Sequence, residues 1–198
     1  MGTINSAIAL IKNPVGYMTA NKDVPATTRD LMMYVAVLAA IPFFATLIGD
    51  LWYYSVFSLF GFVGSYIAYA FTAAVLTYIF DVIAVYIMAI IIRMLAPTFS
   101  STADPIKSLK LAAFIYTPAF LAGIFNIIPF LGIIALLGLL YGLYILYMGL
   151  PIMVGTPKDK TVTYTIAVLV AVFVVYFIFA AILGAVTAAI FLTRFGIL

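Results

Sequence analysis

The sequence contains no cysteine, no histidine and no glutamate, so all six of its acidic residues are aspartates. Without cysteine it cannot form disulfides, thiolate metal sites or thiol nucleophiles. Without histidine or glutamate it also lacks the partners of the usual nucleophile–base pairs and zinc sites. We therefore predict that the protein is not an enzyme and uses no metal and no cofactor.

Charge of either sign is scarce as well. Only 8% of the residues are charged, 68% are hydrophobic, and the mean hydropathy is +1.32. Soluble domains are about 45–50% apolar and about 25% charged, so the composition indicates an integral membrane protein whose first partner is the lipid bilayer. The net charge of +3 is small and scattered, which argues against nucleic-acid binding.

The apolar runs predict an all-α, polytopic bundle of transmembrane helices. At about 20 apolar residues per span, five spans fit, at about 31–49, 62–95, 109–126, 130–154 and 162–192. They form a transmembrane domain over 31–198, preceded by a cytoplasmic or interfacial segment over 1–30. In that segment, helical spacing over 3–13 predicts a short helix that ends before Pro14. This helix could lie on the membrane surface or pack onto the bundle. We expect no cleaved signal peptide, because no uninterrupted apolar core opens the chain.

The positive residues predict the orientation of these spans. With five spans, eight of the nine basic residues fall on one side: Lys12, Lys22, Arg29, Arg93, Lys107, Lys110, Lys158 and Lys160. Only Arg194 falls on the other side. Because cytoplasmic loops carry the excess of Lys and Arg, we expect a cytoplasmic N-terminus and an external C-terminus.

Small residues mark the faces on which these spans should pack. Since lipid gives helices no hydrophobic reason to associate, close approach at small residues must supply much of the attraction. We expect the two faces to be buried against each other or in a homodimer, and we expect kinks at Pro42 and Pro118. The small-residue faces are Gly138, Gly142 and Gly149 in span four, and Ala180, Gly184 and Ala188 in span five.

Asp81 is the unusual residue of the spans. It precedes Arg93 by 12 residues, about 18 Å along a helix, which places it near the bilayer centre. An aspartate there costs roughly 2.5–3.5 kcal/mol on insertion scales, so it is either a proton or cation site or a protonated, hydrogen-bonded structural group. The candidate intramembrane polar site comprises Asp81, Thr77, Tyr116, Tyr141 and Tyr144. Tyr141 and Tyr144 also fit a structural role, as packing residues of span four.

Four stretches carry a family resemblance: KNPVGYM, VLAAIPFFATLIGD, YTPAFLAGIFNIIPFLG and LYILYMGLPIMVGTPKDK. With them the sequence resembles the Yip family of Ypt/Rab-GTPase-interacting membrane proteins, most closely its bacterial inner-membrane, YohC-like branch. The residues that match are Tyr116, Pro118, Pro129, Tyr144, Tyr147, Gly149 and Pro151. The resemblance implies five spans with a cytoplasmic N-terminus, in the inner or plasma membrane.

What the resemblance implies about function is limited. Eukaryotic members organise vesicle traffic and membrane shape, and they bind Rab-type GTPases through a longer N-terminal region with an Asp-Leu-Tyr-Gly-Pro motif. This sequence lacks that motif, so we do not carry GTPase binding over to it. We expect a membrane organiser or scaffold that associates with itself as a homodimer or with another membrane protein. The alternative is a small transporter or channel for protons, cations or a small solute, using Asp81.

Overall fold

The computed structural model describes residues 2–58 and 66–194, and within these ranges the chain is all-helical. The helices are α1 (Thr3–Lys12), α2 (Pro14–Asn21), α3 (Thr28–Ser58), α4 (Tyr66–Leu95), α5 (Pro105–Ala122), α6 (Ile133–Met153) and α7 (Lys158–Arg194). Short 3₁₀ segments over Ala96–Phe99, Gly123–Ile127 and Pro129–Gly132 join α4 to α5 and α5 to α6.

Five of these helices are long and apolar enough to cross a membrane, which confirms the predicted multi-pass bundle. The candidate spans are Thr28–Trp52, Ala70–Phe99, Pro105–Ile127, Leu136–Met153 and Lys158–Ile178. Pro42 lies inside α3 and Pro118 inside α5, and both helices continue through them. The predicted kinks at these prolines stay predictions.

Local sequence explains where several helices begin and end. Asp104 caps α5, because its carboxylate accepts the backbone N–H groups of Ile106 and Lys107 at 2.8 and 2.9 Å. Such caps satisfy backbone donors that a helix N-terminus leaves without partners. After α6, Gly155 has a φ of +70°, a conformation that terminates helices and that glycine adopts without strain.

Helix α5 is the centre of the bundle. Every residue from Ser108 to Pro118 is buried. Around it the other helices form a closed ring in which each contacts the next, in the order α3, α4, α7, α6, α2, α1 and back to α3. The described helices thus enclose one long hydrophobic core around α5.

The glycine face of α6 packs against α5, and the prediction that it meets span five or a second copy was wrong about the partner. A Cβ on Gly138 would lie 2.8 Å from the Pro118 carbonyl oxygen, and one on Gly142 would collide with the carbonyl oxygen of Ile115. Gly149 similarly faces Leu111. The reason is that α5 is buried on all sides, so its neighbour must present small residues for the backbones to approach.

The N-terminal helices pack onto the bundle, as the second of the two predicted placements expects. Ala7 and Leu10 of α1 are fully buried. The Tyr141 hydroxyl of α6 donates to the backbone oxygen of Ile11 at 2.8 Å. Tyr141 precedes Met153, the last residue of α6, by 12 residues, or about 18 Å along the helix. The junction between α1 and α2 therefore lies deep beside the transmembrane helices.

The Asn13-Pro14 sequence explains the junction between α1 and α2 directly. Pro14 has no backbone N–H and cannot continue the hydrogen bonds of α1. Asn13 restarts the helix, since its side-chain oxygen accepts the Gly16 N–H at 2.9 Å. A Cβ on Gly16 would lie 2.5 Å from the Asn13 side chain. The KNPVGYM stretch therefore encodes a break followed by a capped helix.

Most of the polar contacts between segments cluster at one end of the bundle. Lys110 donates to the backbone oxygens of Asn21 and Val24 at 2.9 and 2.8 Å, and Lys107 pairs with Asp23 at 2.9 Å. At the same end, the loop over 96–104 meets the turn over 154–157. There the Thr102 N–H donates to the Val154 carbonyl, Ser101 bonds Thr156, and Lys160 donates to Ser100.

Candidate functional site

A cavity of about 300 Å³ surrounds Asp81 in the membrane-spanning part of the bundle. It lies between α4 and α7, with α5 as its floor. Helix α7 is tightly packed near its start, where Tyr164 and Val168 are fully buried, whereas Phe173 and Phe177 further along are mostly exposed. The cavity lies where α7 leaves the core.

Among the described residues, four polar side chains line this cavity: Thr77 and Asp81 from α4, Tyr116 from α5 and Tyr176 from α7. Tyr116, Tyr176 and Asp81 thus reach the same cavity from three different helices. Tyr116 is only 8% exposed, whereas Tyr176 is 53% exposed and borders the membrane-facing surface. The cavity therefore joins a buried polar floor to an opening that faces lipid.

The remaining eight lining residues are apolar. They are Phe80, Ile83, Ala84, Ile87, Met88, Ile91, Val172 and Val175. Along α4, Asp81 is the last polar residue that lines the cavity. The described α4 residues that line it from Ala84 to Ile91 are all apolar. The site is thus amphipathic along its length, with a polar end at Thr77 and Asp81.

The structure brings together three members of the predicted polar site, Asp81, Thr77 and Tyr116, and separates the other two from them. Tyr141 bonds the Ile11 backbone, and Tyr144 lines an open groove of about 460 Å³ between α6 and α7. The grouping of these two with Asp81 was wrong, because α5 lies between α4 and α6. Among the described residues α4 and α6 make no contact.

Sequence reasoning missed Tyr176 as a member of the site. One signal could have found it, because Tyr176 is the single polar side chain between Thr165 and Thr187 in the last span. A lone hydroxyl at membrane depth needs a polar environment. Its partners, however, are on helices about 60 and 95 residues away in sequence, so the pattern alone could not place it beside Asp81.

Several other polar groups of the spans form hydrogen bonds that join helices. Tyr34 bonds Thr117 at 2.8 Å, and Thr117 in turn donates to the Ala113 carbonyl. Tyr78 donates to the Ala36 carbonyl at 3.2 Å, and Tyr164 donates to that of Ile92. These three tyrosines therefore stabilise contacts between helices, and none of them lines the Asp81 cavity.

The stretches that carried the resemblance are packing elements in this fold. Pro42 of α3 rests on Gly123, where a Cβ would lie 2.6 Å from the proline side chain. Gly49 of α3 contacts the backbone oxygen of Asn126, and the Asn126 amide reaches Thr46 at 3.4 Å. The second and third stretches therefore fold against each other.

The other motif and packing positions have more varied places. Tyr147 lines the α6–α7 groove with Tyr144, and Pro151 lies half-buried inside α6. Pro129 begins a 3₁₀ segment. Ala180, Gly184 and Ala188 fall within α7. The side chains of Pro129, Ala180, Gly184 and Ala188 lie outside the described part of the structure, so how they pack stays a prediction.

Comparison with known proteins gives one match. A family model described as the Yip1 domain matches residues 8–182, which include all seven helices in whole or part and the whole Asp81 cavity. No curated protein and no solved structure matches the chain.

Proposed function

Because the chain belongs to the Yip family of multi-pass membrane proteins, with its Yip1 domain over residues 8–182, we propose that it is a non-enzymatic membrane organiser. It acts as a scaffold through helix packing in the bilayer and through loops at one end of the bundle. The resemblance to the bacterial inner-membrane, YohC-like branch suggests the inner or plasma membrane as its location.

The observation that carries this proposal is the use of polar groups inside the bundle. Tyr34, Tyr78, Tyr141 and Tyr164 each bond a side chain or backbone oxygen of another helix. These four hydroxyls join one helix to another, and they do not form a continuous polar path through the described part of the bundle. A bundle built like this is suited to hold its shape and present its surfaces.

The surfaces available to partners are the polar end and the last helix. At the polar end, Lys107, Lys110 and Lys160 tie the segment after α2 and two loops together. The excess of basic residues there supports a cytoplasmic location for this end and for the N-terminus. In α7, the sequence stripe of Ala180, Gly184 and Ala188 is a candidate homodimer contact, since the α6 glycines are already used against α5.

Self-association in lipid vesicles tests the organiser proposal. The chain has no cysteine, so a single Thr98→Cys change at an exposed position of the loop after α4 accepts a donor or an acceptor dye. We expect energy transfer above the level of random proximity, and competition by excess unlabelled protein. Gly184→Leu should weaken it, whereas Val170→Leu on the exposed side of α7 should not. Energy transfer at the random level at every protein density would contradict the proposal.

A second candidate function is a small transporter or channel for protons, cations or a small solute, and the cavity at Asp81 favours it. The carboxyl group lies among three hydroxyl-bearing side chains at membrane depth. Such intramembrane acids commonly mark substrate or ion pathways. Flux of a cation into vesicles that contain the wild-type protein, lost on Asp81→Asn, would support this function over the first. Equal flux with and without protein would remove it.

A further inference from the structure

The cavity at Asp81 has a shape and lining that suit an organic molecule better than a hydrated ion. Of the twelve lining residues in the described part of the chain, eight are apolar. Along α4, the apolar wall extends from Asp81 to Ile91, which is ten residues or about 15 Å. Within the described residues there is no group of three or more acidic or other metal-ligating side chains. An occupant must therefore bury an apolar body and satisfy a single polar end.

The charge of that end follows from the lining. No Lys or Arg is among the described residues that line the cavity. In the described part of the chain, salt bridges join Asp23 to Lys22 and Lys107, and Asp81 takes part in neither. A carboxylate at membrane depth is costly unless it is paired. A ligand with one positive charge would supply the missing partner.

The aromatic residues favour the same charge. The rings of Tyr116 and Tyr176 stand on the α5 and α7 sides of the cavity, with Asp81 on the α4 side. A cation near the face of a tyrosine ring is attracted by the negative charge on that face. Organic cations, whose charge is spread over an apolar body, use such contacts at little desolvation cost.

The opening of the cavity indicates the route of entry. Tyr176 and Ile83 are about half exposed on the membrane-facing side between α4 and α7. A molecule dissolved in the bilayer would meet this opening directly and would reach Asp81 without crossing the core around α5.

We propose that the cavity between α4, α5 and α7 is a binding site for a lipophilic monocation, with Asp81 as its counter-ion. The apolar body lies along the wall from Ala84 to Ile91, and Tyr116 and Tyr176 flank the charge. The proposal concerns the same cavity as the second candidate function and rests on that function by naming the class of ligand that the cavity would bind. The organiser function does not depend on it.

Equilibrium binding of tetraphenylphosphonium to the full chain in lipid nanodiscs tests this site. We expect saturable binding that weakens at least about tenfold on Asp81→Asn, since a buried charge pair loses one partner. Asp50→Asn is the matched control, because Asp50 is also an aspartate of a spanning helix but does not line the cavity. It should bind like the wild type. The uncharged probe triphenylphosphine oxide should bind more weakly and equally to wild type and Asp81→Asn.

A second variant keeps the test valid if Asp81→Asn folds poorly. Val175→Trp fills the cavity from α7 and leaves the carboxyl in place, so it should also block tetraphenylphosphonium. Equal binding of tetraphenylphosphonium by the wild type, Asp81→Asn and Val175→Trp would overturn the proposal, because the probe would then bind outside the cavity. Saturable, Asp81-dependent binding without flux into vesicles would keep the site while removing the transport function.

Discussion

The hydrogen bond from Tyr141 to Ile11 should decide how firmly the N-terminal helices are held in the bundle. Pro14 lacks the N–H that would bond the Leu10 carbonyl, so the helix break leaves carbonyl groups of α1 without intrahelical partners. Tyr141 satisfies one of them at 2.8 Å. Tyr141→Phe removes only this hydroxyl and keeps the ring that packs beside Tyr144.

The expected magnitude follows from where the bond lies. A buried carbonyl left without a partner costs about 1–3 kcal/mol, whereas interhelical hydrogen bonds in membranes average about 0.6 kcal/mol and reach about 1.7. We therefore expect Tyr141→Phe to lower the free energy of unfolding by about 1 kcal/mol. Reversible unfolding in mixed micelles measures this change. Tyr144→Phe is the matched control, because that hydroxyl lies on the open α6–α7 groove.

A second measurement shows whether the loss is local to α1 and α2. Since the chain has no cysteine, Ser6→Cys in α1 is a near-isosteric and unique thiol reporter. A loss of about 1 kcal/mol raises the population of the detached state about fivefold, and maleimide labelling of Cys at this position should speed up by the same factor. If Tyr141→Phe matched Tyr144→Phe in both unfolding and labelling, the bond would not hold the N-terminal helices.

Two further predictions concern the core and the polar end. Gly142→Ala should lower the free energy of unfolding by about 1–3 kcal/mol, because its Cβ would meet the rigid backbone oxygen of Ile115. Gly2→Ala, with nothing within 4 Å, should be silent in the same assay. At the polar end, the Lys107 ammonium, which donates to Asp23, holds the pKa of that carboxyl below its ordinary value of 3.8. The stability from this pair is complete above that value and is lost as pH falls through the lower folded-state pKa. Asp23→Asn should remove this acid-range dependence in thermal unfolding scans, and an unchanged scan would refute the assignment.

The architecture was largely predictable because the membrane imposes it. Long apolar runs must form helices in lipid, where every backbone N–H and C=O has to find a partner. The five spanning helices and the helix that ends before Pro14 follow from this constraint and from proline chemistry. The match to the Yip1 domain over residues 8–182 agrees with the motifs read from the sequence.

The neighbours of each helix were not predictable in the same way. The spacing of Gly138 and Gly142 indicates a close-packed face, yet it holds no information on which helix fills it. In the structure that helix is α5, which contains no glycine of its own. A glycine face indicates that another helix packs closely against it. Which helix does so depends on how all the helices of the bundle pack together.

The sequence by itself determined that this protein lies in a membrane, that it crosses with helices, and that Asp81 is exceptional, because composition and hydropathy act residue by residue. Only the tertiary structure decided which polar residues lie beside Asp81. It joined Asp81 to Thr77, Tyr116 and Tyr176 and assigned Tyr141 to the N-terminal helices. The physical reason is that burial in lipid is a property of each segment, whereas a site is a property of the packing between segments distant in sequence.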